Sequence, residues 1–198
     1  MRPTMEIDGC RVAHRILNAR LAGLTERTIR QPSRLPDWSV AHVLAHLGGN
    51  ADSVVRRLQG AIDDQLVDQY AGGWEGRAAE IEESAALPVD ELLAYVSASA
   101  AEVDHILDRV PLPAWDRPSR GVGGEERPAR FVVFSRWREV EVHHVDLGLG
   151  YRPADWPEAL VARWLPEVLA ELPRRTDAGE LLAWTIGRGA APPLRPWG

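Results

Sequence analysis

Glu139 and His143 stand four residues apart in the run Arg136-Trp137-Arg138-Glu139-Val140-Glu141-Val142-His143-His144-Val145-Asp146. On a helix that spacing brings both side chains over one turn, where they can ligate a single ion. The same spacing also describes an ion pair on a solvated face, so the pair alone decides nothing. Two ligands from one helix do not make a site, and a third has to come from a neighbouring helix, as it commonly does in bundle cores. His46 is the candidate, since it lies among Val43, Leu44 and Leu47. By itself it reads more readily as a satisfied core histidine than as a ligand. Two histidines and a carboxylate form a frequent catalytic zinc set with positions left open for water or substrate. Such an ion acts as a Lewis acid or generates a nucleophile at neutral pH.

The remaining candidates are weaker. Asp146 follows His143 by three residues and could orient that imidazole from behind. His42 and His144 read as helix-face residues, with an orienting role as the alternative. His14 and His105 have no partner visible in the sequence. Cys10 is the only cysteine, so an internal disulfide and a multi-cysteine zinc site are both excluded. It reads as a small buried residue rather than a nucleophile.

These side chains need helices to position them. A first helical segment is expected from about residue 5 to 28, with Ile7, Val12, Ile16, Leu17, Leu21 and Leu24 as its apolar stripe. A second, capped by Ser39 or Asp37, carries His42 and His46 to about residue 59. Gly72-Gly73 is a break, and 77 to 83 reads as a polar helical stretch. A third long helix covers about 90 to 110, and the Pro- and Gly-rich stretch after it reads as a loop. The fourth covers roughly 130 to 147. Its Val132-Val133-Phe134 entry also suits a strand, but Phe134, Trp137, Val140, His144 and Leu147 recur at helical spacing. Further on, 156 to 172 is amphipathic with Pro166 expected to kink or split it, and 177 to 186 reads as a short final helix. The pattern predicts a mainly α chain: an antiparallel four-helix bundle over residues 1–150 and a short helical appendage over 151–198.

Composition narrows the class. The 198 residues are 45% hydrophobic and 26% charged, as in an ordinary soluble domain. Every basic residue is Arg, a bias that reads as coding rather than function. A net charge of −6 argues against nucleic acid as the main partner. No stretch approaches a membrane span, and no apolar signal core begins the chain, so the cytoplasm is the expected location. The tryptophans, eight in all, mostly fall at helical spacing and are expected in the core.

Two stretches carry a resemblance. Leu35-Pro36-Asp37-Trp38-Ser39-Val40-Ala41-His42-Val43-Leu44-Ala45-His46-Leu47 resembles the second-helix signature of mycothiol-dependent maleylpyruvate isomerases. Arg136-x-x-Glu139-x-x-x-His143-x-x-Asp146-Leu147 resembles their fourth-helix signature. The family belongs to the wider group of DinB-like metal-binding four-helix bundles. The resemblance covers about residues 5 to 150 well and the tail loosely.

The resemblance implies zinc, or another divalent metal, on His46, Glu139 and His143, with mycothiol as the thiol cofactor. It implies cis-to-trans isomerisation of maleylpyruvate by thiolate addition to the double bond. It also implies a cation for the substrate carboxylates. Arg188, in Thr185-Ile186-Gly187-Arg188-Gly189, and Arg77, in the segment from Gly73 to Ile81, are the candidates. The expected partners are a small electrophile or dicarboxylate and mycothiol. DinB-like bundles are often dimers, so a homodimer is the assembly the resemblance suggests. Alternatives are a mycothiol S-transferase acting on other electrophiles and a non-catalytic metal-binding stress module. The family's second domain is a small α+β unit, usually longer than the stretch from 151 to 198, so the resemblance implies a short helical or α+β appendage there, like a truncated form of that domain.

Overall fold

The computed structural model describes residues 1–195 and divides into two compact units, one from Met1 to Asp155 and one beginning at Trp156. The first unit is built on four long helices. Helix α1 (Thr4–Leu21) buries Ile7, Cys10, Ala13, His14, Leu17 and Leu21, a three-four spacing that makes one face. The sequence pattern expected Val12 and Ile16 in that stripe, but both are exposed. They sit one position off the buried row, which rotates them toward solvent. The segment also ends earlier than expected. Gly23 takes a left-handed φ of 86°, and the chain restarts as the one-turn helix α2 (Glu26–Ile29), capped by the Thr25 side chain.

Helix α3 (Val40–Ile62) is the centre of the unit and is buried on most of its circumference. Its start is fixed by a reciprocal cap. The Ser39 hydroxyl accepts from the His42 N–H, and His42 Nδ1 accepts from the Ser39 N–H. After Gly72, helix α4 (Gly73–Ala85) packs against α3, and α5 (Val89–Arg109) follows. The connection that reads as loop contains a small antiparallel hairpin, β1 (Pro118–Arg120) with β2 (Glu126–Pro128), Ser119 opposite Arg127. Strands of three residues are too short to leave an alternating signal. Helix α6 (Arg130–Asp146) then closes the bundle, and Phe134, Trp137, Val140, His144 and Leu147 are all buried as their spacing predicts.

The helices pack in a ring: α3 meets α5 and α6, and α1 meets both of those. Two glycines allow close approach at its contacts. A Cβ on Gly48 of α3 would stand 2.3 Å from the Tyr95 ring of α5, and one on Gly9 of α1 would stand 2.5 Å from the Trp137 indole of α6. The loop before α3 is tied to the end of α6 through the Arg34 N–H and the Asp146 carbonyl, 2.8 Å apart. That bond holds the Trp38 turn close to the ends of the two helices that carry His46, Glu139 and His143.

In the second unit, α7 (Glu158–Arg175) runs as one helix across Pro166 and Pro173 and does not split at Pro166. A proline removes one ladder hydrogen bond, and the neighbouring turns carry the helix past it. Helix α8 (Ala178–Thr185) starts at Asp177, whose carboxylate accepts from the Glu180 N–H. No helix among the described residues is long and apolar enough to cross a membrane.

Candidate metal centre

His46 lies two turns into α3, fixed by fully buried Val43, Leu44 and Leu47 around it. Glu139 and His143 project from α6, which packs on α3. His46 Nε2 is 2.9 Å from Glu139 Oε2, and His143 Nε2 is 3.3 Å from the same oxygen. The two imidazoles stand edge to face, centroids 4.6 Å apart. One ligand atom from each of the three residues falls within 4.8 Å of the others. A tetrahedral ion with bonds of about 2.0–2.1 Å spaces its ligand atoms by roughly 3.3 Å, so the donor set fits a small divalent cation. The His46 side chain is 5% exposed, while Glu139 and His143 keep 25% and 17%. One side is therefore open to an incoming ligand.

Charge favours the ligating state of Glu139. Burial opposes its ionisation, but hydrogen bonds from His143 and His46 outweigh this and hold its carboxyl well below the usual range. The two histidines diverge. Burial pushes His46 down to about 4, with the Glu139 hydrogen bond opposing. Burial acts against charge on His143 too, but the Asp146 and Glu139 carboxylates prevail and raise it to about 9. The difference follows from geometry: His143 touches two carboxylates, and Asp146 Oδ2 lies 2.9 Å from its Nδ1.

Arg77 of α4 reaches the same place. Its terminal nitrogen lies 3.1 Å from His46 Nδ1. The faces of Trp38, Tyr70 and Trp74 surround its guanidinium at 6.0, 5.9 and 5.8 Å. A small pocket between α3, α4 and α5 is lined by His46, Asn50, Tyr70, Arg77, Glu80 and Tyr95. The aromatic residues of this cage were not singled out in the sequence. Trp74 is 61% exposed rather than a core residue. The three-residue interval between Trp74 and Arg77 at the start of α4 was the available signal.

The other histidines serve elsewhere. His42 forms the cap and faces Glu82 at 3.5 Å, a helix-face role as expected. His144 stacks on Tyr151 with centroids 3.9 Å apart. His14, which has no partner legible in the sequence, is buried between Asp104 (2.9 Å) and the Arg136 Nε–H (3.1 Å). Arg136 also donates to the Leu47 carbonyl and to Asn50 Oδ1, and so bridges α1, α3 and α6 one turn from the trio. Cys10 is buried and its thiol is pushed up to about 12 by burial, which suits packing and not nucleophilic work. In the second unit Arg188 is exposed and donates to the Gly187 carbonyl.

Residues 10–148 match the family model described as the mycothiol maleylpyruvate isomerase N-terminal domain. The chain belongs to this family. The matched span contains His46, Arg77, Glu139 and His143 and stops before Arg188. Two solved structures share the fold with TM-scores of 0.80: the mycothiol-dependent maleylpyruvate isomerase, at 24% identity, and a histidine-to-alanine variant of that enzyme, at 23%. Each likeness covers 85% of this chain and 70% of the other. No curated protein matches the chain at a significant level. Within the family fold, the trio sits at the α3–α6 contact, the only described group of three or more such residues placed to share a cation.

Proposed function

We propose that this chain is a metal-dependent, mycothiol-using isomerase of the maleylpyruvate type. The observation that supports it most directly is the meeting of His46, Glu139 and His143 on one side of a family bundle. Zinc is the ion the His2Glu donor set suits best, with other first-row ions accepted. When bound, the ion supplies the charge that makes a thiol ionise near neutral pH, and mycothiol supplies the thiolate that adds reversibly to the cis double bond.

The chain's own residues carry the rest. Asp146 accepts the His143 Nδ1–H, fixes that ring and directs Nε2 at the centre. Arg77 presents a guanidinium at the edge of the same pocket, suited to a substrate carboxylate. Trp38, Tyr70 and Trp74 turn their ring faces to its guanidinium. Arg188 remains a candidate for a second carboxylate.

The test is conversion of maleylpyruvate to fumarylpyruvate by zinc-loaded protein, with and without mycothiol. Turnover that needs both zinc and the thiol is expected. Full turnover without thiol, or none with it, removes the isomerase assignment. Thiol consumption by other electrophiles would then make the chain a transferase.

A further inference from the structure

Arg136 determines which way the Asn50 amide points. A guanidinium has N–H donors and no acceptor. Its Nη1 lies 3.0 Å from Asn50 Oδ1 and 2.8 Å from the Leu47 carbonyl, and both Arg136 and Asn50 are buried. Turning the amide over would set two buried donors against each other at the same distance. Asn50 Oδ1 therefore faces Arg136, and the Nδ2 amino group faces away from it.

That amino group has no acceptor. Asn50 is 4% exposed, and no described residue accepts a hydrogen bond from its Nδ2. The nitrogen is not sealed off, however, because Asn50 lines the pocket between α3, α4 and α5. The other polar groups there do not meet it. Tyr95 gives its hydroxyl proton to Asp52, 2.7 Å away. Glu80 forms no hydrogen bond with Asn50 or Arg77 among the described residues. Arg77 and Glu80 place one charge of each sign on the pocket wall, and the Asn50 amide is a neutral donor between them in kind. It follows His46 by one turn of α3, about 6 Å along the axis and on the same face. One small substrate can reach both.

A vacant donor, fixed in direction by a buried guanidinium, suits an oxygen that gains charge during a reaction. Resting on the isomerase proposal, we infer that Asn50 is a catalytic residue whose Nδ2–H donates to the substrate keto oxygen as that oxygen becomes an enolate. The electron count requires such an oxygen. Addition of the thiolate to the double bond forms a carbon–sulfur bond at the carbon remote from the keto group. The π pair moves to the bond between the near carbon and the keto carbon, and the keto oxygen takes the negative charge. Rotation occurs about the bond that has become single. Return of the pair breaks the carbon–sulfur bond and releases the thiolate. No proton, oxidant or reductant is consumed. The amide strengthens its hydrogen bond only while the charge is on the oxygen, so its effect falls on kcat rather than on substrate binding.

The experiment compares zinc-loaded wild type, Asn50→Asp and Asn50→Ala in the mycothiol-dependent reaction, across pH. Asp keeps an acceptor for Arg136 and loses the donor, whereas Ala loses both. Each variant should lose about 100–1000-fold in kcat, the usual cost of removing one such donor, with KM nearly unchanged. A second readout needs no turnover. The Asn50 side-chain amide signals of the wild type are followed by nitrogen-15 NMR during titration with 2,4-dioxopentanoate, a non-isomerising dioxo acid whose enolate carries the same charge. The signals should shift and saturate with the dioxo acid and stay in place with succinate, which has carboxylates and no keto oxygen.

Wild-type kcat in Asn50→Asp overturns the proposal, because Asn50 is then only the acceptor for Arg136. A raised KM with kcat retained overturns it too, as does an equal amide shift with succinate, since both describe a carboxylate anchor. A pH profile displaced in Asn50→Asp but regaining full height is a charge effect and also overturns it. Should the variants fail to fold, an amide signal indifferent to the dioxo acid is sufficient to overturn it. No turnover by the wild type removes the isomerase proposal and this one together, whereas wild-type turnover with Asn50→Asp unimpaired removes this one alone.

Discussion

His143 Nδ1 lies 2.9 Å from Asp146 Oδ2, one helical turn further along α6. The carboxylate fixes the ring's tautomer and keeps Nε2 directed at the oxygen it shares with His46. Asp146→Ala should therefore weaken zinc binding by about 10–100-fold, the usual cost of losing such an orienting partner. Helix content should not change, because Asp146 is the last residue of α6. Equal zinc affinity in the variant would show that the contact does not orient the ring.

His46 is the one member of the trio supplied by α3. His46→Ala should lose the ion and abolish turnover while far-UV circular dichroism stays near wild type. Elemental analysis of the purified variant checks it. Metal retained at one ion per chain would mean that α6 holds the ion without α3.

Proton release follows from the raised His143. Below about 9 its imidazole is mainly protonated in the metal-free protein, and the proton must leave before Nε2 can ligate. Zinc binding at pH 7 should release about one proton, and affinity should rise about tenfold per pH unit up to about 9. Calorimetry in two buffers of different ionisation enthalpy counts that proton.

Metal-free stability should peak near the ordinary histidine pKa of 6.5. His46 and His144 are each pushed down to about 4, chiefly by burial. Their contribution is complete above 6.5 and is lost as pH falls through about 4. His143 is raised, so its contribution is complete below 6.5 and is lost as pH climbs through about 9. Urea midpoints of chelator-treated protein at acid, near-neutral and alkaline pH measure the curve. A steady rise or fall across that range would contradict the assignment.

Neighbouring glycines on α3 should respond oppositely. Gly48→Ala places its Cβ 2.3 Å from the Tyr95 ring and should cost about 1–3 kcal/mol as α5 is forced away. Gly49→Ala meets only the Tyr95 hydroxyl at 3.9 Å and should gain up to about 1 kcal/mol from helix propensity. Thermal denaturation of the two variants side by side decides the ordering.

Much of the bundle was legible because helices write their faces into local spacing. The buried row of α6 and the Ser39 cap of α3 both follow from intervals of three and four. So did the pairing of Glu139 with His143 and of His143 with Asp146, contacts that a single helix makes without help. The same spacing placed Val12 and Ile16 in the wrong row, because a stripe one position wide of the true face scores almost as well.

The sequence by itself determined which side chains could share a turn. Only the tertiary structure decided which turns meet. His46 reaches Glu139 across 93 positions, Arg77 reaches His46 across 31, and Arg136 reaches His14 across 122. The physical reason is that helical periodicity is a property of neighbouring residues. Contact between helices depends instead on how buried side chains interlock, at places such as Gly48 against Tyr95, and no local interval records that fit.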